Sequence, residues 1–298
     1  MTLASDAIDT ASIALRRRVV PIVRAGVLAR EMCRRGGRGD VAAVFARSLY
    51  VRIGDEFLCI GEPGIGNGPL TLIASARISG LGLRRGQAAS IAEQCIVIGD
   101  LRFDLDRCET WRRPRWPGPI VRLGDIGAAI ARRAATQSPP DSLAYALFAA
   151  NDTPLARIAR PRVACFAAWL SEQRHDSSCP AQANAVTSLI GLGPGLTPSG
   201  DDFLMGALAL LDAVGQTKIH AILAQAVTDA APTLTSPLSA CFLRAAAAGH
   251  VGESLHDAVA SILVGNGDAA VAAARRVGHT SGWDMLAGVA VTLRIVGS

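Results

Sequence analysis

Residues 111–119, WRRPRWPGP, divide the chain into two parts of different character. Three prolines in this stretch each fix φ and remove a backbone donor, so neither a helix nor a central strand runs through it. Upstream, from Val41 to Arg122, the pattern favours strands. AVFARSLYVRI (43–53) reads as one strand, IGDE turns it and FLCIG (57–61) returns, as in a hairpin. GPLTLIASARI (68–78) and CIVIGDLRFDL (95–105) read the same way, the second about a Gly99-Asp100 turn. Downstream, IGAAIARRAATQ, DSLAYALFAAND, RVACFAAWLSEQ, HAILAQAVTDA, LSACFLRAAAAG, SLHDAVASILVG and DAAVAAARRVG show helical spacing with polar or glycine stops. The expected fold is α+β: a β-rich, barrel- or sandwich-like domain over 1–122, then an α-helical bundle over 123–298. The alanines of the second part imply close helix–helix approach.

Composition removes several function classes. Half the residues are hydrophobic, enough for a sizeable core, yet no apolar run approaches the roughly 20 residues that span a bilayer. The N-terminus places its acids first and its arginines late, the reverse of a secretory signal, so a soluble cytoplasmic protein is expected. Seven cysteines, scattered and without a CxxC pair, argue against a disulfide framework or a thiolate zinc site. Of the 30 cations 29 are arginine, so a Schiff-base or phosphate-clamping lysine could be only Lys218, in the plain stretch GQTKIHA. Residues 1–150 hold 21 arginines against 14 acids, and residues 151–298 hold nine cations against 11 acids. The basic clusters are dispersed and lie in no nucleic-acid-binding module. Capture of small anions, subunit contacts and solvated faces explain them better.

GLGPGLTPSGDDFLMG (191–206) carries the chemistry. Ser199 followed three residues later by Asp202 is a capping box, and capping alone accounts for much of the motif. Three features exceed it. Gly191, Gly193 and Gly195 can bare backbone N–H groups before a helix start, which makes an anion nest. Asp201 is spare to the cap, and two adjacent carboxylates call for a cation such as Mg²⁺, held by Asp201 and Asp202 together with substrate oxygens. The cap geometry would occupy Asp202 and leave Asp201 the freer ligand. Third, SGDDFLMGALALL (199–211) recurs as SGWDMLAGVAVTL (281–293) at an offset of 82. His279 stands before the second copy, placed for general acid–base work. The two SGxD helices are expected to start within about 15 Å of each other and to build one site. The segment has no lysine for a Walker A loop, and its glycine spacing does not fit a dinucleotide fingerprint. GxSxG and HExxH are absent.

GLGPGLTPSGDDFLMG, followed by GHTSGWDMLAG, resembles the AllH family, with weaker likeness at GPLTL (68–72) and FARSLYV (45–51). The resemblance implies a subunit that works with FdrA-type partners in the oxamate carbamoyltransferase of anaerobic allantoin breakdown. It implies phosphorolysis of a ureido acid: oxalurate and phosphate giving oxamate and carbamoyl phosphate, with Mg²⁺. Within that chemistry, Asp201, His279 and Asp284 are the expected catalytic residues. Gly193, Gly195, Thr197, Ser199, Gly200, Thr280, Ser281 and Gly282 are the expected phosphate-binding residues. Arg47 is chosen for the substrate carboxylate, because arginine binds carboxylates in a two-pronged fork. The rival reading is a non-catalytic scaffold or anion-sensing subunit.

Overall fold

A computed structural model of the chain describes residues 18–92, 94–118, 123–175 and 183–297. The N-terminal stretch 1–17 and Cys179 lie outside the described residues. Among the described residues nine strands come first: β1 (Arg18–Gly26), β2 (Gly37–Val44), β3 (Ser48–Ile53), β4 (Glu56–Gly61), β5 (Thr71–Ala74), β6 (Ala88–Ala92), β7 (Cys95–Ile98), β8 (Leu101–Asp104) and β9 (Glu109–Trp111). Their order is β5-β4-β3-β2-β6-β7-β8-β1-β9, and β1 also pairs with β5. That last pairing, of Ile22–Ala25 with Leu72–Ala74, closes eight strands into a barrel and leaves β9 as an extension along β1. Closure removes the open sheet edges that a chain must otherwise protect. Leu49, Val51, Leu58 and Ile60 alternate into the barrel and are fully buried. A helix, α1 (Val27–Arg35), buries Ala29, Met32 and Cys33 against the same core.

Turn chemistry explains what the pattern conveys and what it hides. The hairpins β3–β4 and β7–β8 turn at Gly54 and Gly99, both with φ near +60°, a conformation that costs glycine little. AVFARSLYVRI, by contrast, is two strands. The chain reverses at 45–47, where the Phe45 N–H donates to the Ser48 carbonyl at 2.7 Å, with no glycine or proline to mark it.

After the proline-rich link come α2 (Leu123–Gln137), α3 (Leu143–Phe148), α4 (Pro154–His175), α5 (Ala183–Thr187), α6 (Ser199–Ala213), α7 (Thr217–Leu234), α8 (Pro237–Ala247), α9 (Glu253–Leu263), α10 (Gly267–Ala274) and α11 (Ser281–Val296). The β-rich and helical parts are those expected, an α+β fold. One helix is longer than its pattern: α4 starts at Pro154 and runs through Pro161. Arg160 anchors that region by donating to the carbonyls of Ala146, Ala149 and Asn151.

The helices bury one core and the barrel another, and α8 contributes Leu238, Cys241 and Ala245 to the barrel's. At the centre of the helical core α6 crosses α11. A Cβ on Gly206 would lie 1.9 Å from the Met285 carbonyl oxygen, and one on Gly288 would lie 1.9 Å from that of Phe203. Both pairs are related by the offset of 82, so the repeat is a local two-fold arrangement of two helices in backbone contact.

Candidate functional site

The crossing brings the two motif helices together at their starts. Thr197 Oγ1 lies 3.4 Å from Ser281 Oγ, which satisfies the expected 15 Å limit with room to spare. The two-fold relation extends to the acids. The Ser281 hydroxyl stands beside Asp202, and the Ser199 hydroxyl beside Asp284, so each motif's aspartate faces the other motif's serine.

The two aspartates then differ in what lies beyond them. Asp202 lines a cleft of about 890 Å³ between barrel and helices, whereas Asp284 does not. Asp284 turns instead to the first turn of α3, where its Oδ1 accepts the Leu143 N–H at 2.6 Å. Burial pushes its carboxyl up to about 7. Asp202 is 1 % exposed, and neither of its oxygens closes a hydrogen bond. Burial raises its carboxyl well above the usual range; the Ser281 hydroxyl offsets part of this, while Asp284 and Asp201 add to it.

The capping box does not form. Pro198 occupies the N-cap of α6, no side chain bonds there, and the N–H groups of Asp201 and Asp202 both reach the Pro198 carbonyl. Without a cap to serve, Asp202 is the free carboxylate and Asp201 the engaged one, the reverse of the expected division. Asp201 Oδ1 accepts the Gly191 N–H at 2.8 Å; its Oδ2 accepts the hydroxyls of Thr235 and of Ser239, the latter at 2.6 Å. Three donors take most of the roughly four lone-pair sites of the Asp201 carboxylate. Of the adjacent pair, Asp202 is the one whose oxygens are left for a ligand. Asp202 alone, with two orphaned oxygens, fits the one-carboxylate arrangement that Mg²⁺ accepts when substrate phosphates complete its shell.

The remaining expected residues separate into two groups. Arg47, Gly195, Thr197, His279, Thr280 and Ser281 line the cleft. Gly193, Ser199, Gly200 and Gly282 do not, and two of these glycines are packing devices. A Cβ on Gly200 would lie 2.0 Å from the Leu189 carbonyl oxygen, and one on Gly282 would lie 1.8 Å from that of Ala274. Gly200 also spends its N–H on Leu192. Among the described residues the N–H groups of Gly193, Gly195, Leu196 and Thr197 in the first loop take no protein acceptor, and of these residues Gly195, Leu196 and Thr197 line the cleft. His279 is exposed at the rim, with Nε2 3.2 Å from Asp141 Oδ1.

The barrel wall of the cleft escaped the sequence reading. GEPGIGNGP (61–69) is as rich in glycine as the 191–200 loop, with φ of +91° at Gly64 and +86° at Gly66. That density was a usable signal. The loop is clasped to the start of α9, where Glu253 Oε2 accepts both the backbone and side-chain N–H of Asn67 at 2.9 Å, and the Glu253 N–H returns to the Asn67 carbonyl. At the other end Arg47 holds the loop, its Nε 2.8 Å from Glu62 Oε1 and its Nη2 3.3 Å from the Pro63 carbonyl. Across the cleft Arg276 is paired with Asp257 and donates to Ser254 Oγ at 3.4 Å. His250, pushed below its ordinary value by burial, Arg113 and Arg112, is neutral at neutral pH. The starts of α6, α9 and α11 all reach the lining. Helix starts carry partial positive charge, and Arg47 and Arg276 add theirs to the lining, each paired with an acid, Glu62 and Asp257.

A barrel joined to a helical layer leaves a cleft between them whose lining includes Arg47, Asp202 and Arg276. Residues 18–110 match the AllH family N-terminal domain, and residues 189–293 match the family described as oxamate carbamoyltransferase subunit AllH. The chain belongs to the AllH family, and so among the subunits of a carbamoyltransferase. No solved structure matches it. Among the described residues no helix is long and apolar enough to cross a membrane.

Proposed function

We propose that the cleft holds the reactants of a phosphorolytic carbamoyl transfer. In this reading phosphate attacks the carbamoyl carbon of a ureido acid such as oxalurate, giving oxamate and carbamoyl phosphate, in a complex with FdrA-type partner subunits. The observation that carries it is Asp202: a buried carboxyl with two unbonded oxygens, on the lining of a cleft that also collects three helix starts and Arg47. A group so costly to bury without partners finds them in a ligand.

Each wall has a task. The N–H groups of Gly195, Leu196 and Thr197, with the hydroxyls of Thr197 and Ser281, bind the phosphate. Arg47, on the barrel side, offers the substrate carboxylate the donors that Glu62 and Pro63 leave, and so sets which end of the ureido acid meets the phosphate. Asp202 would hold Mg²⁺ against the substrate oxygens, and the ion would neutralise charge between phosphate and carbonyl. Fixed donors of this kind act without reorganisation, and each typically lowers a barrier by about 3 kcal/mol.

Two measurements test the reading. Phosphate titration of the isolated chain should shift the amide signals of Gly195, Leu196 and Thr197 before others. The chain combined with its partner subunits should form carbamoyl phosphate from oxalurate and phosphate. Shifts confined to another surface, or a complex that forms none, would overturn it.

A further inference from the structure

The barrel places one more polar group at the cleft. Tyr50 lies on β3, directly opposite Cys59 of β4. Side chains alternate along a strand, and since Leu49 and Val51 fill the barrel, Ser48 and Tyr50 point outward toward the helices. Tyr50, Cys59 and Ser48 all line the cleft. The Tyr50 ring is clamped edge-on from two sides, by Phe45 at 5.9 Å and 87° and by Phe242 of α8 at 6.0 Å and 81°. Its phenol donates toward the Cys59 sulfur, a weak acceptor that a substrate oxygen can replace, and is close enough to Asp202 to feel that carboxyl's charge. A phenol ordinarily titrates at about 10, so it keeps its proton at neutral pH.

We infer that Tyr50 is a catalytic residue whose phenol donates a hydrogen bond to the carbonyl oxygen of the carbamoyl group. This rests on the phosphorolytic reading above. When an oxygen of HPO₄²⁻ bonds to the carbonyl carbon, that carbon's oxygen takes up the displaced electron pair. It returns the pair as the C–N bond breaks, and the leaving nitrogen receives the proton that the phosphate carried. Tyr50 neither gains nor loses a proton in the cycle. Its part is to hold a neutral donor, rigidly aimed by two aromatic contacts, where negative charge grows. A lysine or arginine there would also pair with Asp202; a phenol does not neutralise it.

The test is Tyr50→Phe in the assembled complex, because phenylalanine keeps the ring and both edge contacts. The expected result is a fall in kcat of about a hundredfold, with KM for phosphate and for the ureido acid within twofold of wild type. The melting temperature and the phosphate titration of the isolated chain should not change. A kcat within threefold of wild type overturns the assignment, as does a loss that travels with raised KM and lowered melting temperature, the mark of a structural role. A wild-type complex that forms no carbamoyl phosphate overturns the phosphorolytic reading and this inference with it. A complex active in wild type and unimpaired by the substitution overturns this inference alone.

Discussion

Replacing Asp201 and Asp202, one at a time, by asparagine should have opposite effects on stability. Asp201 ties three segments together: the Gly191 turn through Oδ1, and the chain between α7 and α8 through Thr235 and Ser239 at Oδ2. In Asp201→Asn the amide can keep its carbonyl oxygen on the Gly191 N–H, but its NH₂ then meets two hydroxyls that had been donating. Those hydroxyls can rotate to accept, so the contacts survive without their charge. Hydrogen bonds to a charged group contribute about 1.5–3 kcal/mol each against about 1 for neutral ones. Asp201→Asn should therefore destabilise by about 2–4 kcal/mol. Asp202 has only the nearby Ser281 hydroxyl to lose and a larger burial penalty to shed. Asp202→Asn should leave stability unchanged or raise it. Urea unfolding at pH 8 and 25 °C measures both. In the assembled complex the Mg²⁺ response should vanish in Asp202→Asn and persist in Asp201→Asn. Equal losses of stability, or a Mg²⁺ response that follows position 201, would refute the assignment of one carboxylate to structure and the other to the cleft.

Three further outcomes are expected. Asp284, with its carboxyl raised to about 7 by burial, holds a proton that the unfolded chain gives up near pH 4, so stability is full at low pH and falls as pH rises toward 7. Asp284→Asn removes that fall, and its unfolding free energy relative to wild type should grow between pH 5 and 8; a constant difference would contradict the argument. Gly206→Ala puts a methyl 1.9 Å from the Met285 carbonyl oxygen and Gly288→Ala does the same against Phe203, so each should cost about 3 kcal/mol or more. Thermal melts of the double variant should show less than the sum, because both changes separate the same pair of helices. Arg47→Gln should raise KM for the ureido acid about tenfold, a loss of about 1.4 kcal/mol, and leave that for phosphate nearly unchanged.

The sequence announces its elements more readily than its contacts. Gly54 and Gly99 mark their turns, and the alanine-rich segments their helices, because local conformation decides these. Whether the strands make a barrel or a sandwich depends on Ile22–Ala25 meeting Leu72–Ala74, a pairing between distant segments that no local pattern encodes. The reversal at 45–47 leaves no trace, since Phe, Ala and Arg are not turn residues. The site divides along the same line. Thr197, Ser281, His279 and Arg47 carry their chemistry in their identity, and the structure brings them to one cleft. Asp201 and Asp202 are identical side chains on consecutive residues, about 100° apart around the helix. Only the neighbours of each face decide which is bound and which is bare. Tyr50 has no motif, and its importance comes from a clamp of Phe45 and Phe242 that are far apart in the chain.

The repeat shows how two copies of one motif acquire different work. Each copy contributes a serine, an aspartate and a glycine to the α6–α11 crossing, and the four contacts are exchanged in two pairs: Gly206 with 285 and Gly288 with 203, and each aspartate beside the opposite serine. Glycine at the crossing lets the backbones touch, and that closeness puts two carboxyls within each other's field, which no core would tolerate without a further partner. For Asp284 the partner is internal, the Leu143 N–H at the start of α3. For Asp202 the corresponding side opens onto the barrel, and nothing among the described residues fills the place that α3 fills for its twin. The asymmetry follows from what is packed outside the two-fold pair. Closing one half with a helix and leaving the other against a cleft makes a symmetric packing motif asymmetric, with the carboxyl that lacks a partner on both oxygens buried on the cleft side.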